Sequence, residues 1–188
     1  MKIRLSGPTI LILILLMNLN LISIFATSEK FLENNEHPSS EEGLWMARPL
    51  ATLGAAYLGV FEIVFESQSV IRDKLAINII NDIGFMGENI EYIFTGLNVG
   101  PQYNITGMGI EGLYIGLYPG IFLMLENYSN DLTLLFTTLA ECGYQRIDGL
   151  VAWGGYIGCF YNTGSNALQF KWGLKIGIPY RSETDYSN

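Results

Sequence analysis

Apolar and polar residues alternate along most of this chain with a period of two. In GLYIGLYPGIFLMLE (112–126), Leu113, Ile115, Leu117, Ile121, Leu123 and Leu125 alternate with Gly112, Tyr114, Gly116, Tyr118, Gly120 and Glu126. Successive side chains of a strand point to opposite faces, so this segment predicts a strand with one apolar face and one small or polar face. The same pattern runs through GVFEIVFE, LAINIINDIGF, FTGLNVGPQYNI, LFTTLAECGYQRI, LVAWGGYIGCFY and FKWGLKIGIPY. Turn chemistry separates them: NYSND at 127–131, Asp148-Gly149, and NTGSN at 162–166. Alternation punctuated by turns predicts an all-β chain laid out as a meander of hairpins. SQSVIRDKLAINII has a helical flavour but no sustained apolar stripe, and its second half is read as strand.

The face opposite the apolar one decides the solvent. A soluble barrel buries its apolar face and shows charged residues to water, whereas a membrane barrel turns its apolar face to lipid and fills its lumen with polar and small residues. Here the second face is mostly Gly and Tyr, with scattered Asn, Gln and Glu. That is a poor soluble surface and suits a narrow lumen, in which glycines make room for rings from other strands. The segments run near ten residues, the span a tilted strand needs to cross a bilayer. Trp153, Tyr161, Trp172 and Tyr180 are expected near the ends of the apolar face, as interfacial girdles are.

The N-terminus fits this picture. Lys2 and Arg4 precede an apolar run from about Ile10 to Phe25, and Ala26 offers a small residue before Thr27. This matches a secretory signal peptide over residues 1–26; an uncleaved membrane anchor is the competing reading. Cleavage would change the net charge from −8 to −10, since the leader holds two basic residues and no acidic ones. An acidic export product has no electrostatic case for binding nucleic acid or anionic headgroups. Residues 27–43 are expected to form a flexible acidic linker, 44–180 the barrel, and 181–188 a polar tail.

Little in the composition supports catalysis or metal binding. The single His37 lies in the linker, which argues against nucleophile–base pairs and most transition-metal sites. No cofactor is expected and the chain is read as a non-enzyme; Glu62 and Glu66 as an acid–base pair are the weaker reading. Asn104-Ile-Thr and Asn127-Tyr-Ser fit the glycosylation sequon and are read as chance turns. A hairpin turning at Asp148-Gly149 would set Cys142 opposite Gly155 and Cys159 opposite Thr138. The thiols would then lie about 13 Å apart along the strands, beyond the roughly 7 Å a disulfide spans. Both cysteines are expected to be free.

PLATLGAAYLGVFEIVFE, GLYIGLYPG, LAECGYQRIDGLVAWGGYIGCFY and a last strand ending in an aromatic resemble the small outer-membrane β-barrel proteins. These are the OmpA-transmembrane-domain, OmpX and OmpW-like group and related barrels of diderm bacteria. The resemblance spans roughly residues 45–180 and is compositional. It implies an outer-membrane location, lipid and the barrel-assembly machinery as partners, a monomer, and a C-terminal assembly aromatic at Tyr180. RSETDYSN continues past that position, a departure from the family pattern.

Seven strands are evident and bacterial barrels of this kind use even numbers. LWMARPLATL (44–53) is the candidate for an eighth, preceding GVFEIVFE. The expectation is therefore an antiparallel up-and-down transmembrane β-barrel of eight strands. Closure would bring Glu62 and Glu66, four apart, towards Lys171 and Lys175, also four apart. Buried charges persist only when paired, so a lumenal network of Glu62, Glu66, Glu141, Lys171 and Lys175 is expected. Glutamates on the first barrel strand would pair as Glu62–Lys175 and Glu66–Lys171; on the second they would reach across one strand. Alternation alone could also set these spacings. Three functions fit: a filled structural or surface-exposed envelope barrel, a narrow channel for small or apolar solutes, or a soluble lipocalin-like binding barrel.

Overall fold

The computed structural model describes residues 2–4, 42–49, 60–87, 89–107, 110–129, 131–164 and 168–181. The body of the leader, His37 and most of the linker, and the tail after Arg181 lie outside the described residues. Nine strands occur among those described: β1 (Lys2–Arg4), β2 (Glu42–Ala47), β3 (Val60–Arg72), β4 (Leu75–Met86), β5 (Tyr92–Asn104), β6 (Gly112–Glu126), β7 (Asp131–Asp148), β8 (Val151–Asn162) and β9 (Leu168–Arg181). From β2 to β9 each strand pairs with its sequence neighbours, all antiparallel, and β2 pairs with β9. The ring is therefore closed: an eight-stranded up-and-down β-barrel, the architecture that alternation with turn punctuation predicts. β1 stands outside it, pairing with Asp131–Thr133 where β7 extends beyond β8.

The strands of the barrel run from Glu42 to Arg181. Its first strand is shorter than LWMARPLATL implies. The ladder of β2 stops at Ala47, Arg48 N–H still donates to Val64 O at 3.2 Å, and Pro49, which has no N–H to give, follows. Residues 50–53 of the expected strand lie outside the described residues. The stretch with a helical flavour is strand in both halves, turning at Asp73-Lys74 between Arg72 and Leu75.

The β7–β8 hairpin turns at Gly149-Leu150, with Asp148 opposite Val151. Gly149 takes a φ of +64°, a left-handed conformation that glycine adopts without a Cβ penalty. This register is two residues from the one Asp148-Gly149 suggests, so Cys142 faces Ile157 and Cys159 faces Ala140. Both cysteines are free. The β8–β9 ladder corrects the girdle expectation for Trp172, which pairs with Ile157 in the middle of β8. Trp153 and Tyr161 do sit near the two ends of β8.

The two barrel rims differ. One carries the start of β2, the end of β9, the two-residue turns 73–74 and 149–150, and the facing ends of β5 and β6; the other carries the end of β2, the start of β3 and the facing ends of β4 and β5, β6 and β7, and β8 and β9. We call them the terminal rim and the loop rim. Outward positions hold the apolar series: Leu117 (52% exposed), Phe136 (62%), Phe170 (68%), Trp172 (66%) and Ile178 (65%). Inward positions hold Tyr114, Tyr118, Gln102, Asn78, Glu66 and Lys175, all essentially without exposure.

Candidate functional site

Glycines on the lumenal parity create the space for the lumen's large rings. A Cβ on Gly143 of β7 would lie 2.6 Å from the Tyr114 hydroxyl, and one on Gly173 of β9 would lie 3.0 Å from the Tyr156 ring. Gly116 instead serves Tyr118 of its own strand, where a Cβ would approach the hydroxyl to 1.9 Å. The Gly-Tyr alternation is thus a packing code for a narrow interior.

Four ionic side chains meet at the centre. Arg48, just past β2, donates from Nε to Glu66 Oε2 at 2.8 Å and from Nη1 to Glu141 Oε2 at 2.7 Å. Lys175 of β9 donates to Glu66 Oε1 at 2.9 Å and to Glu141 Oε1 at 2.6 Å. Two cations and two carboxylates therefore bridge each other in a ring, with every side chain at 2% exposure or less. The Tyr114 hydroxyl donates to Glu141 Oε1 at 2.6 Å. The Arg48 guanidinium lies 4.3 Å from the centre of the Tyr156 ring, and Lys175 Nζ lies 4.7 Å from that of Tyr114. Full reciprocity of charge and added donors are what allow ions to stay buried.

Beneath the quartet, towards the terminal rim, lies a layer of amides. Gln68 Nε2 and Asn78 Nδ2 each donate to Glu66 Oε1 at 2.6 Å. Gln145 Nε2 donates to Gln68 Oε1 at 2.7 Å and also to the Ile110 carbonyl, while the Tyr118 hydroxyl donates to Gln102 Oε1 at 3.2 Å. Leu44, Met46, Ala76, Ile110 and Ala152 form an apolar cluster in this part of the lumen. Val64, Ile80, Tyr118, Leu139 and Phe160 pack together as a second cluster. The lumen is filled by layers of side chains.

The five charges expected to meet divide into two groups. Glu66, Glu141 and Lys175 join the quartet, whereas Glu62 and Lys171 form a separate pair at 3.6 Å with side-chain exposures of 12% and 29%. The glutamates lie on the second barrel strand and reach across β2. The pairs are Glu62–Lys171 and Glu66–Lys175, since β3 and β9 run parallel on either side of it. Arg48 is the member the sequence reading missed, yet its parity with Leu44 and Met46 was a usable signal. Asp82 is likewise buried on the lumenal side of β4, at 4% exposure. The Tyr180 backbone pairs with Gly43.

No family model and no curated protein matches the chain. A solved structure described as "De novo design of transmembrane beta-barrels" aligns at a TM-score of 0.40 and 15% identity, covering 79% of this chain and 100% of that one.

Proposed function

We propose that this chain is a small integral outer-membrane β-barrel with a side-chain-filled lumen and a structural or surface-exposed role in the envelope. The observation that carries this reading is the reversal of polarity around the closed wall. The outward face carries aromatic and aliphatic side chains from every barrel strand from β2 to β9, including Trp45, Phe65, Leu117, Phe136, Ile157 and Trp172. Ions and amides lie inside. Monomeric soluble proteins rarely expose contiguous apolar surface beyond a few hundred Å², and a soluble binding barrel would keep its apolar residues within for a ligand. β3 to β9 each have 12 residues or more, longer than the 9–11 needed to cross the hydrocarbon.

The signal-peptide reading of residues 1–26 supports export, with lipid and the assembly machinery as partners and Tyr180 as the assembly aromatic. Among the described residues the ionic quartet and amide layer occupy the middle of the lumen, which favours a filled barrel over a channel. No catalysis is assigned to it. Fractionation of the expressing cells tests the proposal, combined with a comparison of heated and unheated samples by gel mobility. Recovery in the outer-membrane fraction with heat-modifiable migration is expected. A protein that stays soluble without detergent would sink it.

A further inference from the structure

On the outside of the barrel, β6 to β9 leave an apolar groove of about 570 Å³, with Ile115, Cys142, Ile157, Phe170 and Trp172 along it. Gly155 lies in this groove, in the row Tyr144–Gly155–Leu174. Gly143 and Gly173 make room for lumenal rings, but Gly155 points outward in step with Trp153 and Ile157, and a Cβ there would meet nothing closer than 3.6 Å. Its φ is not left-handed either. Neither the backbone nor the packing of this chain calls for glycine at this position, and the missing side chain leaves a notch on the outer face. Towards the terminal rim the groove runs into a polar hollow of about 460 Å³, and Tyr144 lines both. The wall of the hollow includes Thr106, Glu111 and Arg146.

An apolar groove that continues into a polar hollow matches an amphiphile, tail and head. Arg146 donates from Nε to Asp148 Oδ1 at 2.9 Å, which leaves the N–H groups of its two terminal nitrogens for an incoming acceptor. Asp148 also accepts from Trp153 Nε1 at 2.8 Å, and the Trp153 ring lies 6.3 Å from that of Tyr144. Paired aromatic rings with polar tips mark the headgroup level of a bilayer. Glu111 Oε1 accepts the Ile147 N–H at 2.7 Å, and its second oxygen bonds no described residue. One cation beside two carboxylates disfavours a ligand of net negative charge, as does the chain's own charge of −8. The same groups suit a headgroup that carries both signs, with its phosphate on Arg146 and its ammonium on Glu111.

We propose that this compound groove binds one phospholipid whose headgroup carries a phosphate and a primary ammonium. An acyl chain lies in the notch over Gly155, the phosphate meets Arg146, and the ammonium donates to Glu111. The site rests on the outer-membrane reading, which is what sets lipid beside this wall.

The test uses the full chain folded into phosphatidylcholine vesicles in which a small fraction of the lipid carries bromine on its acyl chains. Bromine quenches tryptophan emission on contact. Trp172 lines the groove and Trp153 stands beside it, while the third tryptophan, Trp45 on β2, is removed by Trp45→Phe. At equal fractions, brominated phosphatidylethanolamine should occupy the site about two- to fivefold more effectively than brominated phosphatidylcholine, the preference that an exposed ion pair confers. Brominated phosphatidylglycerol should gain nothing over phosphatidylcholine. Glu111→Gln should erase the preference for the ethanolamine lipid and raise quenching by phosphatidylglycerol. Gly155→Leu, which fills the notch, should bring all three lipids to the same level. Heat-modifiable mobility identifies folded variants, and the comparison of the three lipids on the Trp45→Phe protein stands without the other two. Equal quenching by all three there would overturn the site and leave the membrane reading intact. A preference for phosphatidylglycerol would overturn it too, as would an ethanolamine preference that survives either variant. Quenching by no lipid at all would overturn the membrane reading and the site with it.

Discussion

Lys175→Met removes the ammonium that joins Glu66 and Glu141 inside the barrel. Methionine nearly matches the lysine stem in length, so the change is electrostatic rather than a loss of volume. Each contact, at 2.9 and 2.6 Å, is worth about 6 kcal/mol of gross Coulomb energy at an effective dielectric constant near 20. Most of that offsets the desolvation of an ammonium that has no exposure at all. The net cost of leaving two buried carboxylates to share Arg48 is about 3–5 kcal/mol, the range for breaking a buried pair from one side. Lys171→Met provides the contrast. Its ion pair is longer, at 3.6 Å, and 29% exposed on the lysine side, so it should cost about 0–1 kcal/mol. Urea unfolding in micelles, followed by tryptophan emission and by gel mobility, measures both. Adding Glu66→Gln to Lys175→Met should recover about 0.5–3 kcal/mol relative to the sum of the single changes. The reasoning fails if Lys175→Met lies within about 0.5 kcal/mol of wild type, or if the two lysine variants cost the same.

Other features give further expected outcomes. Leu117→Arg, on the outer face of β6 at 52% exposure, should cost about 2–4 kcal/mol in a bilayer near the midplane; a water-facing site would tolerate it within about 0.5 kcal/mol. Gly143→Val drives a Cβ to 2.6 Å from the Tyr114 hydroxyl and should destabilise by about 1–3 kcal/mol through overpacking, read as a lowered urea midpoint. Cys142 faces Ile157, two residues short of Cys159, a diagonal about 7–8 Å long. Oxidant should therefore form no intrachain bridge, and a water-soluble maleimide should label the thiols only after unfolding. In a planar bilayer the wild-type barrel should show no stepwise conductance.

Much of the wall was legible because alternation is a local property. The parity of Leu113 to Leu125 fixes which face of β6 turns outward, and no distant contact can reverse it. Glu66, Glu141 and Lys175 could be placed inside on the same basis. Their pairing could not, because it depends on β2 lying between β3 and β9 and on the register of both seams. Arg48 escaped notice since the interest of LWMARPLATL lay in completing the strand count, and Pro49 ends the regular ladder beside it. The amide layer was visible only as scattered polar residues: Gln68 fell in the segment with a helical flavour, and Gln102 and Gln145 are 43 residues apart in sequence. The hairpin register slipped by two because Asp-Gly is a strong turn signal, but here the left-handed Gly149 takes the first loop position and Leu150 the second.

The quartet draws its members from residues 48, 66, 141 and 175, hence from both ends of the barrel sequence. A chain that has formed β3 to β8 already holds Glu66 and Glu141 facing one side of the sheet, with neither cation anchored by a completed seam. Such an intermediate gains little from curling shut, since closure without β2 and β9 would strand two carboxylates in a dry interior. The first and last strands thus deliver the counter-ions in the same event that removes the free edges. Assembly of this barrel is biased against premature closure, and the bias is encoded in ions that, once the wall is complete, no longer touch water.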